Sequence, residues 1–146
     1  MKFIVILFIC LIPSFALAET KSFAEKSAVY TVGKKSDAKF SLSISNLASN
    51  SKIQTSDQIK LAISIRPEEF DLGKSADFFN VIFVDGKWWM LGLDRAYVPW
   101  SSMSLKKLEP FAENIILKKD NDIDLLSGNF TTAGQIKYFL GYIDST

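Results

Sequence analysis

Three short patterns in this 146-residue sequence have spacings that enzymes or metal sites use, and each meets an obstacle among its own neighbours. Ser104 and Lys107 stand in the S-x-x-K relation of serine enzymes that employ a lysine base. The same relation recurs at Ser36/Lys39 and Ser49/Lys52, and the companion elements of such enzymes are missing. Gly73-Lys74-Ser75 matches the end of a phosphate-binding loop, but Glu68 occupies the position of the first glycine. The residues after Ser75 alternate like a strand, and without a helix N-terminus there is no anion cradle. Asp120, Asp122 and Asp124 have calcium-loop spacing, yet Leu125 stands where an EF-hand needs glycine. The same stretch reads as an edge strand, with the acids facing water and Ile123 and Leu125 facing inward. Glu68, Glu69, Asp77, Glu109 and Glu113 could be paired for glycoside hydrolysis, but among 16 acidic residues no spacing singles out a pair. Histidine is absent, which removes the commonest general base and the commonest metal ligand together. The residues therefore predict a non-enzyme with no catalytic set, no metal site and no cofactor.

Aromatic residues are the remaining candidates. They make up 13% of the chain, and Trp88, Trp89, Tyr97 and Trp100 fall within one short stretch. Most aromatic side chains are core. Two adjacent tryptophans on one strand, however, cannot both face the same side. One of Trp88 and Trp89 is thus expected outside the main core, covered by a loop or a partner, or exposed. With 17 basic and 16 acidic residues there is no cationic excess to follow a phosphate backbone, so nucleic acid is not an expected partner.

The elements that position these residues begin after residue 18. Residues 1–18 read MKFIVILFICLIPSFALA: Lys2, an apolar run from Phe3 to Ile12, a break at Pro13-Ser14, and small residues around Ala16-Leu17-Ala18. This is the layout of a cleaved secretory signal peptide, and the run is shorter than the roughly 20 residues a membrane span needs. Cys10 lies within it and follows Ile9, which argues against a lipoprotein signal. The mature chain from Glu19 then has no cysteine, no membrane span and no disulfide, so its stability must come from a hydrophobic core. The expected location is the periplasm, the cell surface or the medium.

Residues 19–28 read as a polar lead-in with some helical character, and a single domain spans 29–146. Phe40, Leu42 and Ile44 alternate with Ser41, Ser43 and Ser45. Ile59, Leu61, Ile63 and Ile65 alternate with Lys60, Ala62 and Ser64. Both are half-buried antiparallel strands, separated by a polar loop from Asn46 to Asp57. Phe78–Val84 and Lys87–Leu91, joined by Asp85-Gly86, predict a hairpin with a type I′ turn. If Val84 pairs with Lys87, Phe83 and Trp88 share one face, Ile82 and Trp89 the other, and both faces are greasy. Pro99 to Ser104 reads as a loop leading to a helical turn near Leu105–Leu108. Asn114–Lys118, Asp122–Leu126 and Ile136–Ile143 complete about eight short strands. That spacing predicts an all-β, antiparallel, immunoglobulin-like β-sandwich.

The series Gly73-Lys74, Ala76-Asp77, Trp89-Met90-Leu91, Pro99-Trp100, Leu108-x-Pro110-Phe111, Ser127-Gly128 and Phe139-Leu140-Gly141-Tyr142 resembles a known arrangement. It is similar to an uncharacterised β-rich module found near the C-termini of bacterial secreted and surface proteins, over about residues 57–143. The resemblance implies a β-rich accessory domain, brings no catalytic residues, and leaves residues 19–56 outside it. Together these readings predict a small exported protein that binds a protein partner at the cell envelope through Trp88, Trp89, Tyr97 and Trp100. The alternatives are a carbohydrate-binding module gripping a surface glycan with the same aromatics, and an inhibitor inserting loop 94–104 into a hydrolase. A small carboxylate-dependent hydrolase is the remaining possibility.

Overall fold

The computed structural model of the protein describes residues 4–9, 19–22, 26–30, 35–47, 57–101, 104–129 and 136–144, with the backbone alone for the strands before Ser36. In chain order the strands are β1 (Ile4–Ile9), β2 (Glu19–Ser22), β3 (Lys26–Tyr30), β4 (Lys35–Leu47), β5 (Ile59–Arg66), β6 (Ser75–Val84), β7 (Lys87–Leu91), β8 (Tyr97–Pro99), β9 (Ala112–Ile116), β10 (Asn121–Gly128) and β11 (Ile136–Asp144). Every pairing is antiparallel. They form two sheets, as a β-sandwich requires. The first has the order β10-β5-β4-β3, with β2 on the same edge of β4 as β3. The second has the order β11-β6-β7-β8, with β9 sharing an edge of β6 with β7.

The serine alternation is what builds the first sheet. Phe40 pairs with Ile65, Leu42 with Ile63 and Ile44 with Leu61, so every apolar residue meets another across the ladder. Ser41 meets Ser64 and Ser45 meets Lys60 on the wet face. All six of those apolar side chains are buried. Burying a side chain of that size contributes roughly 1.5–3 kcal/mol relative to leaving it in water. The second sheet covers them with Phe78, Ile82, Leu91, Tyr138, Leu140 and Tyr142. Phe40 and Tyr142 stack across the gap with ring centroids 6.2 Å apart.

The hairpin has the expected register: Val84 pairs with Lys87, Phe83 with Trp88, Ile82 with Trp89 and Val81 with Met90. Asp85 and Gly86 both have positive φ, 50° and 75°, which is what a type I′ turn demands. The expected helical turn is a short 3₁₀ segment, Leu105–Lys107. Asn121–Gly128 is an edge strand, with Asp122 and Asp124 exposed and Leu125 buried.

Two expectations need correction. Residues 19–22 and 26–28 are strand rather than helix, forming β2 and the start of β3, because the 13 residues of β4 offer a long edge that their backbones pair with. Ladder hydrogen bonds outweigh a weak local helical preference in so short a polar stretch. Tyr97–Pro99, read as part of a loop, is a short edge strand on β7. Ile4–Ile9, inside the expected export segment, runs as a strand between β3 and β11 and joins the two sheets. Cys10, the expected cleavage region Pro13–Ala18 and residues 48–56 of the polar loop lie outside the described residues. Among the described residues no helix is long and apolar enough to cross a membrane.

Candidate functional site

Strand parity divides the four candidate aromatics between the two faces of the second sheet. Trp89 and Tyr97 pack against the core between the sheets. The Tyr97 hydroxyl donates to Oδ1 of Asn80, a fully buried residue whose Nδ2 donates to the Phe139 carbonyl at 3.2 Å. Burial pushes the Tyr97 phenol above its ordinary pKa, so it stays neutral and serves as a fixed donor. This pair lets the sheet bury an asparagine without leaving its amide unpaired.

Trp88 and Trp100 lie on the opposite face, in a second cluster with Val81, Met90, Val98, Leu108 and Phe139. The backbone N–H of Trp100 donates to the Trp88 carbonyl at 2.9 Å, which carries the chain from the end of β8 back over β7. The indoles of Trp88 and Trp100 then meet edge to face, with centroids 6.1 Å apart and planes at 88°. Trp88 also touches Phe139 at 5.0 Å and Phe83 at 4.9 Å. The structure thus brings together two of the four aromatics and sets the other two on the far side of the same sheet. Neither Trp88 nor Trp89 is fully buried.

Trp100, Leu105 and Leu108 stand off from the outer face of the second sheet. A half-open cavity of about 210 Å³ lies between these three and Phe79, Val81, Trp88 and Phe139. No charged side chain lines it. Trp100 is almost fully buried, and its indole Nε1–H has no hydrogen-bond partner among the described residues. A shallower hollow of about 360 Å³ lies beside β10, where the Arg95 guanidinium already donates to the Asp124 carbonyl at 2.7 Å.

A polar cluster escaped the sequence reading. The connection from β5 to β6 carries Glu68 and Asp71, both buried, through a 3₁₀ turn at Glu69–Asp71. Glu68 Oε1 accepts from the Ser36 hydroxyl and from the Asp37 backbone N–H, tying the turn to β4. Asp71 accepts from the Tyr142 hydroxyl at 2.9 Å and from Lys74 Nζ at 2.7 Å, tying it to β11. Lys74 also reaches Asp144 at 3.4 Å. Burial, reinforced by the Asp71 charge, pushes the Tyr142 phenol upward; the hydrogen bond to Asp71 raises the Lys74 ammonium. This cluster fastens one end of the first sheet to the second. The one local clue was the Asp71/Lys74 spacing of three, which a 3₁₀ turn brings together.

The chemical motifs disperse. Lys74 of Gly73-Lys74-Ser75 is held by Asp71, and Ser75 opens a strand. Gly73 has φ of 81° and serves the turn, its N–H donating to Leu117 at 2.9 Å. Lys107 of the S-x-x-K pair is exposed on the 3₁₀ segment. Asp120 pairs with Arg66 at 3.0 Å and Asp124 with Lys60 at 2.9 Å, each on the surface. Asp77 accepts the Asn114 N–H at 2.9 Å, while Glu69, Glu109 and Glu113 are exposed and separate. Among the described residues no group of three or more His, Cys, Asp or Glu side chains could hold a metal ion.

The molecule is therefore a small all-β domain of two antiparallel sheets, without an evident catalytic or metal-binding group among the described residues. Comparison with known proteins finds no matching family model, no matching curated protein and no matching solved structure.

Proposed function

We propose that this is a small exported, non-catalytic sandwich of immunoglobulin-like type that binds a protein partner at the cell envelope or surface. Its contact face is the outer side of the second sheet. The observation that carries the reading is the cavity between Trp88, Trp100 and Leu108 on a face that already has one complete core behind it. A domain of this size needs one core, and Trp88 and Trp100 belong to a second apolar cluster outside it. Aromatic anchors around a pocket are where binding energy concentrates in protein interfaces. Trp89 and Tyr97 support that face from beneath. The buried carboxylates Glu68 and Asp71 are engaged by internal donors, which supports a structural rather than a hydrolytic role for them. A glycan reading fits less well, because sugar hydroxyls need polar partners and the lining is apolar. The likeness of residues 57–143 to an accessory module of exported proteins belongs to the same proposal, as does removal of residues 1–18.

The test is capture of partners by the tagged protein recovered from cells, run in parallel against solubilised envelope proteins and insoluble polysaccharide. N-terminal sequencing of the recovered chain should begin at Glu19. Saturable retention of one protein, lost in Trp88→Ala but kept in a variant of the far edge such as Asp122→Asn, is the expected result. Retention only by polysaccharide would move the assignment to a carbohydrate-binding module. No retention by a folded bait would reduce the outer aromatics to packing.

A further inference from the structure

β1 occupies a place in the fold that export would empty. Its residues Ile6–Ile9 pair with Leu140–Lys137 of β11, and Ile4 and Val5 pair with Tyr30 and Val29 of β3, so one strand of 6 residues bridges the two sheets. Among the described residues no other strand pairs along that side of either: β11 has β6 on its other edge, and β3 has β4. Removal of residues 1–18 takes β1 with it. The N–H and C=O groups that it satisfied on β11, and the shorter row on β3, are then open. Such an edge is a template for a strand from another chain.

We infer that the exported chain carries a strand-acceptor slot between β3 and β11, and that an extended apolar segment of the protein partner fills it, antiparallel to β11. The inference rests on the export and partner readings above and names how that partner is gripped. Pairings already made narrow the occupant. The new N-terminus does not refill the slot, because Glu19, Lys21 and Ser22 are paired with Leu47, Ile44 and Ser43 of β4. The β11 of a second copy carries β6 along its other edge, so it cannot sit as a single strand between β11 and β3. What fits is an otherwise unpaired extended segment, about 20 Å long for a strand of this length. Register sets its composition. A residue opposite Phe139 joins the outer row of the Trp88 and Trp100 cluster, whereas residues opposite Tyr138 and Leu140 join the core side, where both are buried. Both rows are apolar, so a charge opposite Tyr138 or Leu140 would be buried without a partner. A proline there would remove a ladder N–H. The sequence of β1, Ile-Val-Ile-Leu-Phe-Ile, meets both conditions.

The experiment uses the ¹⁵N-labelled protein recovered from cells after export, its N-terminus at Glu19, and a synthetic peptide carrying the β1 sequence between lysine pairs. The peptide should bind saturably. With the peptide at about ten times its Kd, the amides of Lys137–Leu140 that face the slot should exchange roughly tenfold slower. The Leu7→Pro peptide is as apolar but breaks the ladder, and should bind at least about tenfold more weakly. Full-length protein made without export should also bind the peptide at least about tenfold more weakly, because its own β1 competes at a high effective concentration. If the chain from Glu19 is unfolded alone, a cooperative transition that appears only with the peptide supports the slot, and none overturns it. Equal binding of the two peptides, no binding of either, or an N-terminus still at Met1 overturns the inference. A dimer that the peptide does not dissociate gives the edge to a second copy and overturns it as well. A captured partner should be displaced by the peptide; capture that the peptide leaves intact overturns the strand assignment and keeps the partner reading. Peptide binding with no captured protein keeps the acceptor slot and overturns the partner reading.

Discussion

Replacing Tyr142 by phenylalanine removes one oxygen from the joint between the two sheets, and its cost follows from the geometry. The hydroxyl donates to Asp71 Oδ2 at 2.9 Å, and both residues are 2% exposed or less. A hydrogen bond to a charged group is worth about 1.5–3 kcal/mol. Asp71 keeps Lys74 Nζ at 2.7 Å, so the variant does not reach the roughly 3–5 kcal/mol of a stranded buried charge. The expected loss is about 2 kcal/mol. With an unfolding entropy of roughly 0.3 kcal/mol/K for a chain of this size, the midpoint should fall by about 7 °C. Thermal and urea unfolding of the full chain and of Tyr142→Phe, followed by circular dichroism at pH 7, measure it. The pH dependence supplies a second arm. Burial first, and then Asp71, raises the Tyr142 pKa in the folded protein, whereas an unfolded tyrosine titrates near 10. Above pH 10 the unfolded chain releases a proton that the folded chain keeps, so stability is full below that pH and falls as pH rises. Lys74, raised by its bond to Asp71, and Tyr97, raised by burial, act in the same direction. Tyr142→Phe should therefore lose less stability between pH 9 and 10.5 than the unaltered protein. A midpoint change under about 2 °C, or parallel pH curves, would refute the buried bond and with it the role assigned to the cluster.

Two further predictions concern backbone features. Gly86→Ala places a side chain at a φ of 75° with no atom within 4 Å, so its cost is conformational alone, about 1 kcal/mol. Urea unfolding should show a lower midpoint with an unchanged slope; no change would argue against the type I′ turn. A chain beginning at Glu19 lacks β1, which pairs with Lys137, Tyr138, Phe139 and Leu140 of β11. It keeps the whole described core cluster from Ala38 to Tyr142, so it should remain folded, with faster amide exchange along that edge of β11 than in the full chain. Loss of cooperative unfolding in the shorter chain would show that β1 is needed to hold the two sheets together.

Legibility from sequence varied with how local the physics is. The apolar–polar alternation of β4 and β5 has only one solution once one face must be dry, so which side chains are buried could be read directly, while their pairing with each other is a finding of the structure. The hairpin was equally plain, since Asp-Gly demands a turn with two positive φ values and fixes the register on either side. Asp122 and Asp124 were readable as edge-strand acids for the same reason. The lead-in was misread because its pairing depends on an edge of β4 that lies more than a dozen residues away. Asp71 was invisible: nothing near it in the chain announces that Tyr142, 71 residues later, will bring a hydroxyl to its carboxylate.

The candidate site shows the same division. That Trp88 and Trp89 must face opposite ways is a property of any strand, and adjacency alone decided it. Which of them faces the core was not decidable there, because both sides of the hairpin carry apolar residues. The packing of Ile82, Leu91 and Trp89 against the first sheet settles it, leaving Trp88 with Phe139 and Trp100 outside. The cavity and the Trp100 N–H, which has no partner among the described residues, belong wholly to tertiary structure. They arise where Trp100, Leu105 and Leu108 meet a sheet face assembled from residues 79 to 141, and no local pattern encodes a volume. Local sequence determines which way side chains point; only the assembled fold decides what they meet.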